Sequence, residues 1–231
     1  MLGKIKTIIT QKVIEKKMKM REFSNTEDLK LVSLNDNFNR ILKLHPRVTS
    51  YVEFVTLFNY SFLSSGSIIE IGSHLSYSSI IMASAFRKNE NRKLYAIDPF
   101  IREKGWGNGG SDDWIYKKHS QLQFATELVE KSGLKENVIF IKGYSNDVIS
   151  KFDQINDVGM IFIDGDHSYD GCKSDLDSYS SILVKGGYLV MHDYNCPQHN
   201  GVKKAMDEFL LKNEDFEKLF LIDSILVVKK K

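Results

Sequence analysis

The chain has 231 residues, 42% of them hydrophobic and 27% charged, with a formal net charge of +2. This composition suits an ordinary globular protein, and the length allows one well-buried domain with an accessory segment. Near-neutrality gives no support to a nucleic-acid footprint, and no apolar run approaches the roughly 20 residues that cross a bilayer. Two cysteines without zinc-type spacing, and lysines scattered where a secretory apolar stretch would lie, read as a reduced, cytoplasmic protein.

Residues 1–22 carry seven Lys/Arg against two Glu, and apolar residues recur at Ile5, Ile8, Ile9, Val13 and Met20. The spacing predicts a basic amphipathic helix. An oligomerisation or lid helix is the more economical reading, and contact with an anionic membrane is the less favoured one. Two further helical patterns follow. One runs from Leu29 to Leu42 and stops at His45-Pro46; the other runs from Val48 to Phe62. Residues 1–64 are thus expected to be a helical segment, and 65–231 the main domain.

From Ser67 the pattern alternates strand and helix. Strands are expected at Ile68–Ile71, Lys93–Ile97, Val138–Ile141, Gly159–Ile163, Tyr188–Met191, Phe216–Ile222 and Ile225–Lys229, with helices near 77–88, 114–132, 145–151, 169–183 and 201–212. Cys172, Leu176, Tyr179 and Leu183 form one core stripe, and Val202, Ala205, Met206 and Phe209 another. Between Pro99 and Asp113 lies a glycine-rich segment of the length used for lids or substrate walls; Trp106 and Trp114 flank or interrupt it. Only Asp223-Ser224 separates the last two strands, too few residues for a parallel crossover, so they must form an antiparallel hairpin. The expected fold is a mostly parallel seven-stranded α/β sheet ending in that hairpin.

The chemistry concentrates where two apolar runs end. Asp164, Asp166 and His167 follow Met160–Ile163, and His192 and Asp193 follow Tyr188–Met191, with a helix-length segment between. As neighbouring parallel strands they would lie about 5 Å apart, which brings these groups together at the edge where open α/β sheets bind ligands. Gly72 ends the first strand before a helix, a place where backbone can approach an anionic ligand. Asp98 ends the second strand, suited to accept hydrogen bonds from a ribose. Asp170 is read as a helix cap. His74 and His199 are read as loop residues, and His45 and His119 are given no role.

Several stretches carry a resemblance: EIGSHLSYSS at 70–79, IDPF at 97–100, GWG at 105–107, FIKGYSND at 140–147, FIDGDHSYDGCKSDLDSYSSILVKGGYLVMHDY at 162–194 and GVKKAMDEF at 201–209. The chain resembles the class I methyltransferases that use S-adenosylmethionine, and among them the macrocin O-methyltransferase and cephalosporin hydroxylase-like group. The resemblance covers about 65–229 and implies a Rossmann-like sheet. It implies that Gly72 and the loop after it hold the methionine end of the donor, that Asp98 binds ribose, that Tyr144, Ser145 and Asn146 lie by the adenine, and that Glu70, Ser73, Ser78 and Asp164 also belong to the donor site. Asp164, His192 and Asp193 match positions that bind a divalent metal. Asp166 matches a position proposed as general base, with His167 as a second candidate. The family pattern usually has a second glycine where Ser76 stands. An imidazole at 192 favours manganese, iron or zinc over magnesium without excluding the latter.

These features together indicate a metal-assisted O-methyltransferase, expected as a homo-oligomer; the resemblance alone implies a hydroxyl of a sugar or glycosylated small molecule as acceptor, and catechol-like or other polyhydroxylated acceptors stay open. The alternatives are a methyltransferase that needs no metal and a catalytically silent binding module of the same fold. A dinucleotide-dependent oxidoreductase is disfavoured by the single glycine at Gly72 and by the closing hairpin.

Overall fold

The computed structural model describes residues 49–86, 89, 91–101 and 120–231. The helix expected over 1–22, the pattern from Leu29 to Leu42, His45, the stretch 102–119 with both tryptophans, and His119 lie outside the described residues.

Seven strands form one sheet: β1 (Ser67–Ile71), β2 (Leu94–Asp98), β3 (Val138–Lys142), β4 (Val158–Ile163), β5 (Leu183–Met191), β6 (Phe216–Ile222) and β7 (Ile225–Lys230). Their spatial order is β3-β2-β1-β4-β5-β7-β6. Strands β1 to β5 pair in parallel, and β7 runs antiparallel to both of its neighbours. The fold is therefore the Rossmann-like methyltransferase arrangement, and the hairpin sits where the two-residue connection requires it.

The described helices are α1 (Tyr51–Leu63), α2 (Tyr77–Ser84), α3 (Gln121–Lys131), α4 (Ser145–Val148), α5 (Tyr169–Tyr179) and α6 (Asn200–Lys212). Strand alternation sends Ile68, Met160, Phe162, Val190 and Val227 to one face, against α1, α2 and α3. Ile69, Ile161, Ile163, Leu189 and Met191 go to the other, with α4, α5 and α6. Burying one side chain of this size stabilises by about 1.5–3 kcal/mol. A register slip of one residue would exchange the faces and forfeit the gain on every strand. Phe54, Val55 and Leu57 of α1 are as buried as the strand residues they cover, so one continuous core spans the expected boundary at residue 64.

Element ends differ from expectation for local reasons. Strand β5 begins at Leu183 rather than Tyr188, because the Val158–Leu183 pair precedes a register shift that the Lys185-Gly186-Gly187 stretch accommodates; two glycines hide a strand from propensity. Helix α5 stops at Tyr179 and hands over to a 3₁₀ turn, Ser180–Ile182. Its cap is Ser168, whose Oγ accepts from Gly171 N at 3.0 Å, so Asp170 lies in the first turn and is not the cap. No described helix is long and apolar enough to cross a membrane.

Candidate active site

Parallel pairing places Ile141, Ile97, Ile71, Ile163 and Met191 in one row across the sheet. The following residue of each strand forms a second row at the carboxyl edge: Lys142, Asp98, Gly72, Asp164 and His192. Backbone bonds continue the ladder into it, from Gly72 N to Ile97 O (2.9 Å), from Asp164 N to Ile71 O (2.9 Å) and from His192 N to Ile163 O (3.0 Å). Gly72 stands between two carboxylates, at the point where strand order reverses, which is where ligands of such sheets bind. It adopts φ +88, and a Cβ there would lie 2.1 Å from Asp164 O. No side chain fits.

Above this row lies a cleft of about 650 Å³. Of the residues expected in the site, Gly72, Asp98, Tyr144, Ser145, Asn146, Asp164, Asp166 and His167 line it. Glu70, Ser73, Ser78, His192 and Asp193 do not. Glu70 is fully buried and accepts hydrogen bonds from Ser78 Oγ (2.5 Å) and Ser79 Oγ, which ties the start of α2 to β1. Burial pushes its carboxyl up to about 8 against the pull of both serines. Ser73 is buried with its hydroxyl unpaired among the described residues.

On the Asp98 side of Gly72, polar groups satisfy one another. Asp98 accepts from His74 N (2.8 Å) on Oδ2 and from Phe100 N (2.6 Å) on Oδ1. It thereby fixes the loop after Gly72, in which His74 and Ser76 take φ of 46 and 65. Burial raises the Asp98 carboxyl, and the two amides restrain the rise. Ser145 Oγ donates to Asp175 Oδ1 at 2.5 Å, and Ser174 Oγ to Asn146 Oδ1 at 2.9 Å. Burial pushes Asp175 up to about 6.

The other side is built differently. His192 Nδ1 lies 3.0 Å from Asp164 Oδ1 and 3.5 Å from Asp193 Oδ2. Yet neither ring nitrogen makes an aligned hydrogen bond among the described residues, although the ring is buried. Ligand atoms around an ion with bonds of about 2.1 Å stand roughly 3.0 Å apart at right angles and roughly 3.4 Å apart in a tetrahedron. His192 stands at about those separations from Asp164 and from Asp193, and all three ligand atoms lie within 4.8 Å of one another, so the set could hold a divalent cation. Asp193 reaches the set from a left-handed backbone, φ 54, a strain of the kind that functional sites retain. Burial works against charge on both members of the central pair. The Asp164 carboxylate nonetheless raises His192 strongly, and His192 with His167 holds Asp164 far below the ordinary range.

Three residues of this neighbourhood were not read as site residues from the sequence. Glu53 caps α1, its Oε2 accepting from Ser50 N at 2.8 Å, and its Oε1 accepts from Ser224 N at 2.9 Å in the β6–β7 turn. The same carboxylate stands 3.8 Å from His192 Nε2. Burial opposes its charge, and the nearby His192 ring, with hydrogen bonds from Ser224 and Ser50, brings it down to about 2. The Ser50-x-x-Glu53 spacing marks a helix start but gives no hint of His192. Asp175 sits on the apolar stripe between Cys172 and Leu176, the one carboxylate on that face, and this was its available signal. His199 lines the cleft at the end of a 3₁₀ turn, Pro197–His199, with its ring 4.3 Å from that of His167.

A family model described as a methyltransferase domain matches residues 69–194, more than half of the chain. The chain belongs to the class I methyltransferase family. Among solved structures, it is similar to the O-methyltransferase TomG of Streptomyces achromogenes, involved in tomaymycin synthesis and crystallised with S-adenosylmethionine (TM-score 0.63, 17% identity, 91% of this chain and 98% of that one). It is also similar to a TDP-rhamnose 3'-O-methyltransferase of calicheamicin biosynthesis (TM-score 0.57, 15% identity, 92% of this chain and 98% of that one). An uncharacterized protein of Acanthamoeba polyphaga mimivirus is 41% identical over 61 residues, which span 25% of this chain and 28% of that protein. The methyltransferase match takes in Gly72, Asp98, Asp164 and Asp193. Glu53 and His199 lie outside it.

Proposed function

We propose that this methyltransferase uses S-adenosylmethionine to methylate a hydroxyl of a sugar or glycosylated small molecule in the cytoplasm, with a divalent cation assisting. One observation carries the reading: Asp164, His192 and Asp193 converge at ligand separations beside Gly72, on the edge of a cleft large enough for a donor and a small acceptor. The donor-bound TomG structure and the rhamnose methyltransferase, which share the fold, support the donor and the acceptor class.

The roles follow from position. The loop after Gly72 holds the methionine end of the donor, with Glu70 and Ser78 anchoring the helix behind it. Asp98 faces the ribose with the lone pairs left free by His74 and Phe100, and Tyr144, Ser145 and Asn146 border the adenine. S-adenosylmethionine would supply a methyl group on a sulfonium that leaves as a neutral thioether, so the protein has mainly to align the partners and remove the acceptor proton. Asp164, His192 and Asp193 would hold the cation, which makes a bound hydroxyl a stronger acid. Asp166 is the base of choice: it is exposed on the cleft wall, and Ser168 N binds its Oδ1 at 2.8 Å, which orients the carboxylate. His167, held between Asp164 and Asp193, is the alternative acceptor.

A metal-free variant of the same chemistry has one observation in its favour. His192 stands among Asp164, Asp193 and Glu53, and as an imidazolium it would itself offset their charge. Labelled S-adenosylmethionine with a panel of glycosides and nucleotide sugars, with and without EDTA, separates the readings. Transfer that stops in EDTA and returns with Mn²⁺ is the expected result; undiminished transfer excludes the cation. No calorimetric heat with near-millimolar S-adenosylmethionine would leave a binding module instead.

A further inference from the structure

We propose that this methyltransferase carries a second divalent-cation site at the mouth of the cleft, formed by His167, His199 and Asp193. One ligand atom from each lies within 4.8 Å of the other two. His167 Nε2 is 3.4 Å and His199 Nε2 is 3.8 Å from the same oxygen, Asp193 Oδ2. Both distances exceed the 2.7–3.2 Å of an ordinary N–H···O bond, but they match or slightly exceed the roughly 3.4 Å between neighbouring ligands of a tetrahedral ion. The two imidazoles are tilted by 36° with centroids 4.3 Å apart, so a nitrogen of each ring faces the same carboxylate oxygen.

The approach of the two histidines is built into the backbone. Gly201 packs against the His167 loop so closely that a Cβ would stand 2.5 Å from Tyr169 N and 3.1 Å from His167 O. That contact brings the start of α6, and His199 just before it, over His167. Both rings line the cleft, whereas His192 and the shared Asp193 do not, so the two imidazoles open the mouth site to solvent and substrate while His192 lies behind Asp164. Two imidazoles and one carboxylate select a first-row transition ion such as Zn²⁺, Fe²⁺ or Co²⁺ over Mg²⁺. The inference rests on the proposed function only in that Asp193 serves both sites, as bridging carboxylates do in two-metal centres.

The test counts ions and needs no acceptor. Chelator-stripped full-length protein is dialysed against Co²⁺ and its metal content measured, with circular dichroism to verify folding, for wild type, His199→Ala and Asp164→Asn. We expect two equivalents in wild type and one in each variant. The ion lost in His199→Ala should be the one that excess Mg²⁺ fails to displace, its affinity falling at least about a hundredfold, since loss of a mere supporting partner already costs 10–100-fold. Equal Co²⁺ content in wild type and His199→Ala overturns the mouth site. If under that result Asp164→Asn still loses an ion, the deeper site stands alone. No Co²⁺ in any of the three proteins overturns both.

Discussion

The two halves of the cleft solve the problem of buried polar groups in opposite ways. On the side of β2 and β3, Asp98 is engaged by two backbone amides and Asp175 by Ser145; each carboxylate is part of the scaffold before any ligand arrives. On the other side, His192, His167 and His199 point at the oxygens of Asp164 and Asp193 from 3.0–3.8 Å, and those of His192 do so without hydrogen-bond alignment. The first arrangement gives a rigid wall for a ligand recognised by shape and hydrogen bonds. The second leaves ligand atoms around a common point, which suits an ion. Gly72 and Asp164 share the seam between them.

Breaking the seam should have the largest effect. Gly72→Ala forces a Cβ onto Asp164 O at a φ that L-residues resist. Steric strain and overpacking together should destabilise by about 4 kcal/mol. Thermal unfolding should show a fall in midpoint of 10 °C or more, roughly, or no folded protein. Retention of normal stability would mean that the seam is looser than its geometry indicates.

Asp164→Asn removes a charge from the seam on the side of the proposed cation. Methyl transfer should fall by about 10²–10³, the effect of losing one preorganised charged group, while donor affinity measured by calorimetry changes little. An equal loss in donor binding would erase the distinction between the halves.

Asp175→Asn probes the donor half through pH. Burial raises this acid from its ordinary 3.8 to about 6, so the folded protein holds the proton more tightly than the unfolded chain. Wild-type stability should therefore decline as pH rises from about 4 to about 6 and then level off. The variant lacks this step, and the two curves should diverge by about 2 kcal/mol across that window, a shift of two units discounted for residual hydration. Parallel denaturation curves at pH 4 and pH 7 would contradict the assignment.

The smallest change is at Ser76, which sits at φ 65 with its hydroxyl unpaired among the described residues. Ser76→Gly should stabilise by about 1 kcal/mol by relieving the left-handed conformation, with donor affinity unchanged or improved. A destabilised variant would show that the serine hydroxyl has a partner role in the loop.

How far the sequence reached depended on whether a residue's neighbours are set by the chain or by the fold. Asp164 and His192 could be paired in advance, because each follows a buried strand and parallel register leaves little choice of partner. The hairpin of β6 and β7 followed from a two-residue connection. Glu70 and Ser78 were placed in the right stretch, but their side chains turn behind the cleft, since strand alternation and helix phase decide direction and the motif does not.

Local pattern alone settled the order of strands and helices, the reversed last strand, and the concentration of acids and histidines at the ends of β4 and β5, because hydrophobic period and loop length act over a few residues. Only the tertiary structure decided that Glu53, 139 positions before His192, stands beside it, that Asp175 turns into the cleft, and that His199 meets His167 over Asp193. Those contacts join segments distant in sequence through helix packing against the sheet, and no period or spacing in the chain records which helix face will meet which strand end.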